Sequence, residues 1–163
     1  MAKDDKTNVT RLLSGAKISF EIHTYDPSIT DGERVAAAVG TEPNATFKTL
    51  VTVADSGKNY VFVIPVHLEL DLKACGRAVG EKSIAMLPQK LLFPLTGYVH
   101  GGCSPVGMKK RLVTVIDSSC LDLPKMTLSA GKVGMQVTLS PQDLIQYLQC
   151  KTAPITRERA VLS

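Results

Sequence analysis

Two β-rich runs, residues 47–54 and 59–66, flank the tetrapeptide Asp55-Ser56-Gly57-Lys58. Turn formers between two runs of β-branched and aromatic residues fold the chain back on itself, so this stretch reads as an antiparallel hairpin. That hairpin is the strongest constraint in the sequence, because it places antiparallel pairing at the centre of whatever sheet forms. Around it, helical and strand-like patterns mix without strict βαβ alternation, which favours an α+β fold over a doubly wound parallel sheet.

Val9, Leu12 and Leu13 give a short amphipathic helix over 7–16. Residues 18–25 then alternate: Ile18, Phe20 and Ile22 face one side, Glu21, His23 and Tyr25 the other. Turns at Asp26-Pro27-Ser28 and Asp31-Gly32 precede a helix over 33–39 that Gly40 stops. Further along, the pattern predicts a helix over 70–79 ended by Gly80, a short strand at 84–86 and a helix over 88–93. Strands at 112–116, 125–128 and 135–139 follow. Ser140 is placed to N-cap a helix over 141–149, with Pro141 in its first turn. Residues 152–163 read as a loose polar tail. With 163 residues and no repeat or linker, the chain is expected to form one domain.

The start, Met1-Ala2-Lys3-Asp4-Asp5-Lys6, lacks the apolar core of a signal peptide, and no long apolar run suggests a membrane span. Cys75, Cys103, Cys120 and Cys150 form no CxxC or Cys/His pair, so they read as free thiols of a cytoplasmic protein rather than a disulfide or zinc framework. Charge is uneven: residues 1–81 hold 9 Lys/Arg against 11 Asp/Glu, and residues 82–163 hold 10 against 4. A basic half suits a phosphate-rich partner, although a solvated basic surface explains the same count.

Two positions stand out as carriers of chemistry. Lys48 interrupts the apolar strand, on the face it shares with Leu50 and Thr52. It either snorkels at a sheet edge or aims a cation into a pocket. The segment from Thr96 to Gly107 contains Gly97, Gly101, Gly102, Pro105 and Gly107. Such a loop can turn backbone N–H groups toward a ligand, or can simply be a surface loop. It fits neither the Walker pattern nor GxGxxG, but Lys109-Lys110-Arg111 beside it point to a phosphate-bearing ligand. His23, His67 and His100 lie far apart, no nucleophile motif occurs, and Cys103 has no assignable base. Paired acids for general acid–base hydrolysis are also lacking.

Several of these pieces follow one another in a particular order: Thr46-Phe47-Lys48-Thr49-Leu50, Leu70-Asp71-Leu72-Lys73, Gly97-Tyr98 leading to Gly101-Gly102-Cys103-Ser104-Pro105, Lys109-Lys110-Arg111-Leu112, Ile116-Asp117 and Ser129-Ala130-Gly131-Lys132. Together, over residues 7–150, they closely resemble the YbaK family of aminoacyl-tRNA deacylases, relatives of the editing domain inserted in bacterial prolyl-tRNA synthetases. The resemblance implies a mixed, mostly antiparallel, barrel-like sheet flanked by helices. It implies trans hydrolysis of mischarged aminoacyl-tRNA, with Cys-tRNA(Pro) first, no cofactor or metal, and prolyl-tRNA synthetase as an accompanying partner. Carried over by residue, Lys48 holds the tRNA 3′ end and Gly101 meets the substrate ester through its backbone. Tyr25, Thr49, Gly102, Ser104, Pro105 and Ser129 line the substrate site. The family's cysteine-removing members are thought to let the substrate thiol attack its own carbonyl, so the protein positions rather than attacks. Two departures bear on amino-acid selectivity: Gln136 stands where some members have an acid, and the loop after Tyr25 is short. The competing reading is a non-catalytic module that binds tRNA or a synthetase.

Overall fold

A computed structural model describes residues 6–159. The polar start before Lys6 and the end of the expected tail, 160–163, lie outside the described residues. In chain order the elements are α1 (Asn8–Gly15), β1 (Phe20–Thr24), α2 (Gly32–Val39), β2 (Phe47–Ala54), β3 (Asn59–Pro65), β4 (Leu68–Leu70), α3 (Leu72–Val79), β5 (Ile84–Met86), α4 (Leu92–Thr96), β6 (Val113–Asp117), β7 (Met126–Lys132), β8 (Met135–Leu139), α5 (Pro141–Leu148), β9 (Lys151–Ala153) and β10 (Thr156–Glu158).

The hairpin forms the centre of a five-stranded mixed sheet, order β5-β2-β3-β6-β9. Lys48 lies opposite Ile64 and Leu50 opposite Phe62, and Gly57 takes φ +88° in the connecting turn. β6 and β9 join in parallel, so antiparallel pairing is confined to one side of this sheet. A second sheet, β1-β8-β7, is wholly antiparallel, and β10 pairs with β4 as a two-stranded ribbon. The strands thus divide among three sheets. A parallel bridge from Thr46 to Thr127 ties the first two together.

The five-stranded sheet separates two apolar cores. Phe47, Val51, Val61 and Val63 face β7, β8 and the helices α1 and α5, burying Met126, Leu128, Val137, Leu139 and Leu144. The opposite face packs Phe62, Ile64 and Val115 against Cys75 of α3 and Ile155. Alternation along each strand sets this division: successive side chains leave on opposite faces, and both faces here are covered.

Most sequence expectations for elements hold within a residue or two, although the strand expected at 125–128 runs on to Lys132. The other exceptions are short or long-range. Leu70 ends β4 instead of opening α3, which Asp71 N-caps by accepting from the Ala74 N–H at 3.0 Å. The helix expected at 88–93 divides into a 3₁₀ turn at Gln89–Leu91 and the five-residue α4. Ser140 occupies the N-cap position of α5 without a side-chain capping bond. The loose tail is not loose over the described residues: it contains β9 and β10, with Ile155 fully buried between them. Asp117 anchors it, accepting at Oδ1 from the Ile155 N–H (3.1 Å) and the Thr156 hydroxyl (3.2 Å).

Candidate functional site

The two main sheets meet incompletely. β5 covers β2 only at Thr52–Ala54 and the bridge to Thr127 stops at Thr46, so among the described residues β2 has no strand neighbour at Lys48–Leu50 on the side away from β3. Val51 turns its carbonyl to that side, where the Leu87 N–H donates to it at 3.1 Å. The same alternation sends the backbone N–H and C=O of Thr49 toward the open edge. A cavity of about 380 Å³ lies there.

Its walls come from distant parts of the chain. β2 supplies Phe47, Lys48, Thr49 and Leu50; the N-terminal end of α2 supplies Asp31, Gly32 and Val35. Ser129 and Gln136, cross-strand partners on β7 and β8, form the wall of the second sheet. Tyr25, His100, Gly101, Cys103 and Arg159 are also among the cavity's lining residues.

Of the residues expected in the site, Lys48, Thr49, Gly101, Tyr25 and Ser129 line this one cavity. Gly102, Ser104 and Pro105 do not; all three are buried behind the wall. Gly102 sits so close to the β7–β8 turn that a Cβ would stand 3.0 Å from the Val133 nitrogen and 3.1 Å from the Lys132 Cα. The Ser104 hydroxyl accepts from the Val106 N–H, closing its own loop. These residues shape the loop that presents Gly101. The Gly102 N–H donates to the Val99 carbonyl, whereas no backbone acceptor takes the Gly101 N–H among the described residues. Gly101 has φ +86°, a conformation glycine adopts without penalty.

The electrostatics favour an anion. Lys48 forms no ion pair within 4.0 Å among the described residues, and burial, then the nearby Arg159 guanidinium, hold its ammonium below the usual lysine range. The Thr49 hydroxyl and the Gln136 Oε1 are buried without a hydrogen-bond partner among the described residues. Gln136 is only 7% exposed, so its orphaned acceptor marks a place where a ligand donor fits. The Cys103 thiol is pushed up to about 12 by burial, which leaves it protonated and non-nucleophilic at neutral pH. Sequence reasoning noted Gln136 only as a departure and missed Arg159. Thr156-Arg157-Glu158-Arg159 is polar throughout, so no apolar alternation in the sequence points to a strand there.

Residues 26–147 match the family model described as the aminoacyl-tRNA editing domain. The chain belongs to that family. It is 38% identical over 153 residues to a protein of Enterococcus faecalis described as "Putative Cys-tRNA(Pro)/Cys-tRNA(Cys) deacylase EbsC", covering 93% of each chain. Among solved structures, a "putative trans-editing enzyme for prolyl tRNA synthetase" superposes with TM-score 0.80 at 23% identity, over 93% of this chain and 98% of that one. The hypothetical protein APE2540 gives TM-score 0.85 at 21% identity, over 93% and 100%. At such identities the structural likenesses show the fold alone. Within this editing domain the matched stretch contains most of the cavity wall, while Tyr25 and Arg159 lie beyond its ends.

Proposed function

We propose that this editing domain deacylates mischarged aminoacyl-tRNA in trans, with Cys-tRNA(Pro) as its preferred substrate. The observation that carries the reading is a cavity with a half-buried cation, a presented glycine backbone and orphaned polar acceptors, but a wall thiol that is inert. Such a site is equipped to hold and polarise an ester rather than to attack it. The Enterococcus relative's description names the same substrate.

Lys48 holds the phosphate backbone of the tRNA 3′ end. The Gly101 N–H, and the Thr49 N–H on the free edge of β2, donate to the ester carbonyl as it gains negative charge. The cysteinyl sulfur then attacks its own carbonyl carbon. The carbon–oxygen ester bond breaks, the thiol proton passes to the departing ribose hydroxyl, and cysteine leaves as a thiolactone that water opens. Thr49 Oγ1, Ser129 and Gln136 Oε1 offer acceptors to the substrate ammonium.

A basic surface supports the tRNA assignment. Residues 82–116 contain no Asp or Glu, yet include Lys82, Lys90, Lys109, Lys110 and Arg111, and they carry the His100–Gly101 wall. Exposed Phe93 and Val99 on the same segment offer apolar faces for unpaired bases. Prolyl-tRNA synthetase delivering its mischarged product to this surface is part of the proposal. Incubation with Cys-tRNA(Pro), Ala-tRNA(Pro) and Pro-tRNA(Pro) tests it: fastest release of cysteine is expected, and Lys48→Ala abolishes it. Tight tRNA binding with no turnover of any mischarged substrate would overturn it.

A further inference from the structure

The cavity contains a second cation that arrives from the far end of the described chain. Arg159 follows β10, whose pairing with β4 and anchorage through Ile155 fix the direction of the strand. Its guanidinium donates to the Val66 carbonyl at 2.8 Å and lies 3.3 Å from Glu33. Val66 itself is pressed against Gly32, where a Cβ would stand 2.9 Å from the Val66 Cβ. The guanidinium is therefore seated on a close-packed wall facing the same space as Lys48.

We infer that Lys48 and Arg159 together form the seat for the terminal phosphodiester of the tRNA, so that β10 is a substrate-binding element. Two like charges on one small cavity are unfavourable to each other until an anion lies between them. The acids nearby offset this only in part: Glu33 meets Arg159 from one side, Glu69 is paired with Arg157 at 2.8 Å, Asp31 N-caps α2, and among the described residues none forms an ion pair with Lys48. The chemistry of the substrate narrows the anion further. In aminoacyl-tRNA the amino-acid carboxyl is esterified and the amino group is cationic, so the anion nearest the scissile bond is the last phosphodiester. A guanidinium with two contacts made still has N–H donors left for a phosphate oxygen, and an ammonium opposite supplies a point charge.

This inference rests on the deacylase reading for its ligand, but its test is separable from it. Binding of an uncharged RNA minihelix ending in CCA is measured by titration at several salt concentrations, alongside deacylation kinetics. Arg159→Ala is expected to weaken binding and raise KM about tenfold, with kcat largely kept, as for a lost charge-assisted hydrogen bond. Its plot of log affinity against log salt flattens by about 0.7, the contribution of one single-strand phosphate. Arg159→Lys restores part of the affinity and the slope. Glu33→Ala removes the ion pair but leaves the guanidinium, so binding stays equal or tightens. If Arg159 were only a brace for α2, Glu33→Ala and Arg159→Ala would weaken binding alike, with the salt slope unchanged; that result, or wild-type affinity in Arg159→Ala, overturns the inference. Arg159→Gln, which can still donate to Val66, gives the same loss of slope should Arg159→Ala prove poorly folded. Failure of every mischarged tRNA to turn over, with the slope change intact, would sink the deacylase reading and leave the phosphate seat standing.

Discussion

Gly102 leaves little room for a side chain, because a Cβ there would stand only 3.0–3.1 Å from the backbone of Lys132 and Val133. Backbone cannot swing aside as a flexible side chain can, so Gly102→Ala is expected to cost about 1–3 kcal/mol in urea unfolding and to displace Gly101. Gln136 predicts the opposite pairing of effects. Gln136→Leu removes a buried acceptor that has no partner, so thermal stability is expected to hold or rise while kcat/KM for deacylation falls. Lys48 makes a prediction in pH. Its folded-state affinity for a proton is depressed, so between that value and the ordinary lysine range the unfolded chain binds more protons than the native one. Stability therefore rises through that alkaline window, while minihelix binding falls in it as the ammonium discharges. Fluorescence-detected affinity against pH checks this, with the midpoint moving upward in Arg159→Ala because a like charge is gone. The sequence made Lys48, Thr49, Gly101, Tyr25 and Ser129 legible through the ordered resemblance; it did not distinguish Gly101, on the wall, from Gly102, Ser104 and Pro105 behind it. Close backbone approach leaves no mark in composition.

The elements that were readable are those whose signals are local. The β2–β3 hairpin has its turn between its strands, and α2 and α3 carry an Asp N-cap and a left-handed Gly at the other end. β4, β9 and β10 have three residues each, too few for a periodic pattern, and acquire their identity only from partners far along the chain. Asp117 illustrates the limit. It closes a local turn by accepting from the Ser119 N–H at 3.3 Å, a role its sequence neighbours suffice for, but its contact with the Ile155 N–H is invisible before folding. Asp117→Ala leaves that buried N–H without its acceptor, and is expected to destabilise by about 2–4 kcal/mol and to loosen β10. Hydrogen exchange at residues 155–158 should rise before exchange in β2 and β3 does.

At the scale of the whole molecule, charge is segregated along the chain, with the basic excess in residues 82–163. The acid-free stretch 82–116 carries Lys109 and Lys110 on its exposed side, beside the loop that presents Gly101. Combined Lys109→Ala and Lys110→Ala changes are expected to weaken tRNA binding at low salt, with the difference from wild type shrinking as salt rises. The half-chain charge asymmetry was visible in the sequence. That Lys48 and Arg159, from opposite halves of the chain, share one opening required the sheets to be assembled.

That assembly has a consequence in time. Among the described residues β1 pairs with β8 alone, and the His23–Thr138 hydrogen bond joins residues 115 positions apart. In a chain emerging from the ribosome, β1 appears early and then waits, its hydrogen-bonding edge bare, while the β2–β3 hairpin can already close on itself. Neither Ser129 nor Gln136 can take its place in the cavity until β7 and β8 are out, and Arg159 follows later still. The nascent chain therefore holds a finished hairpin well before it holds a working site, and its early exposed edge is where a chaperone has reason to bind.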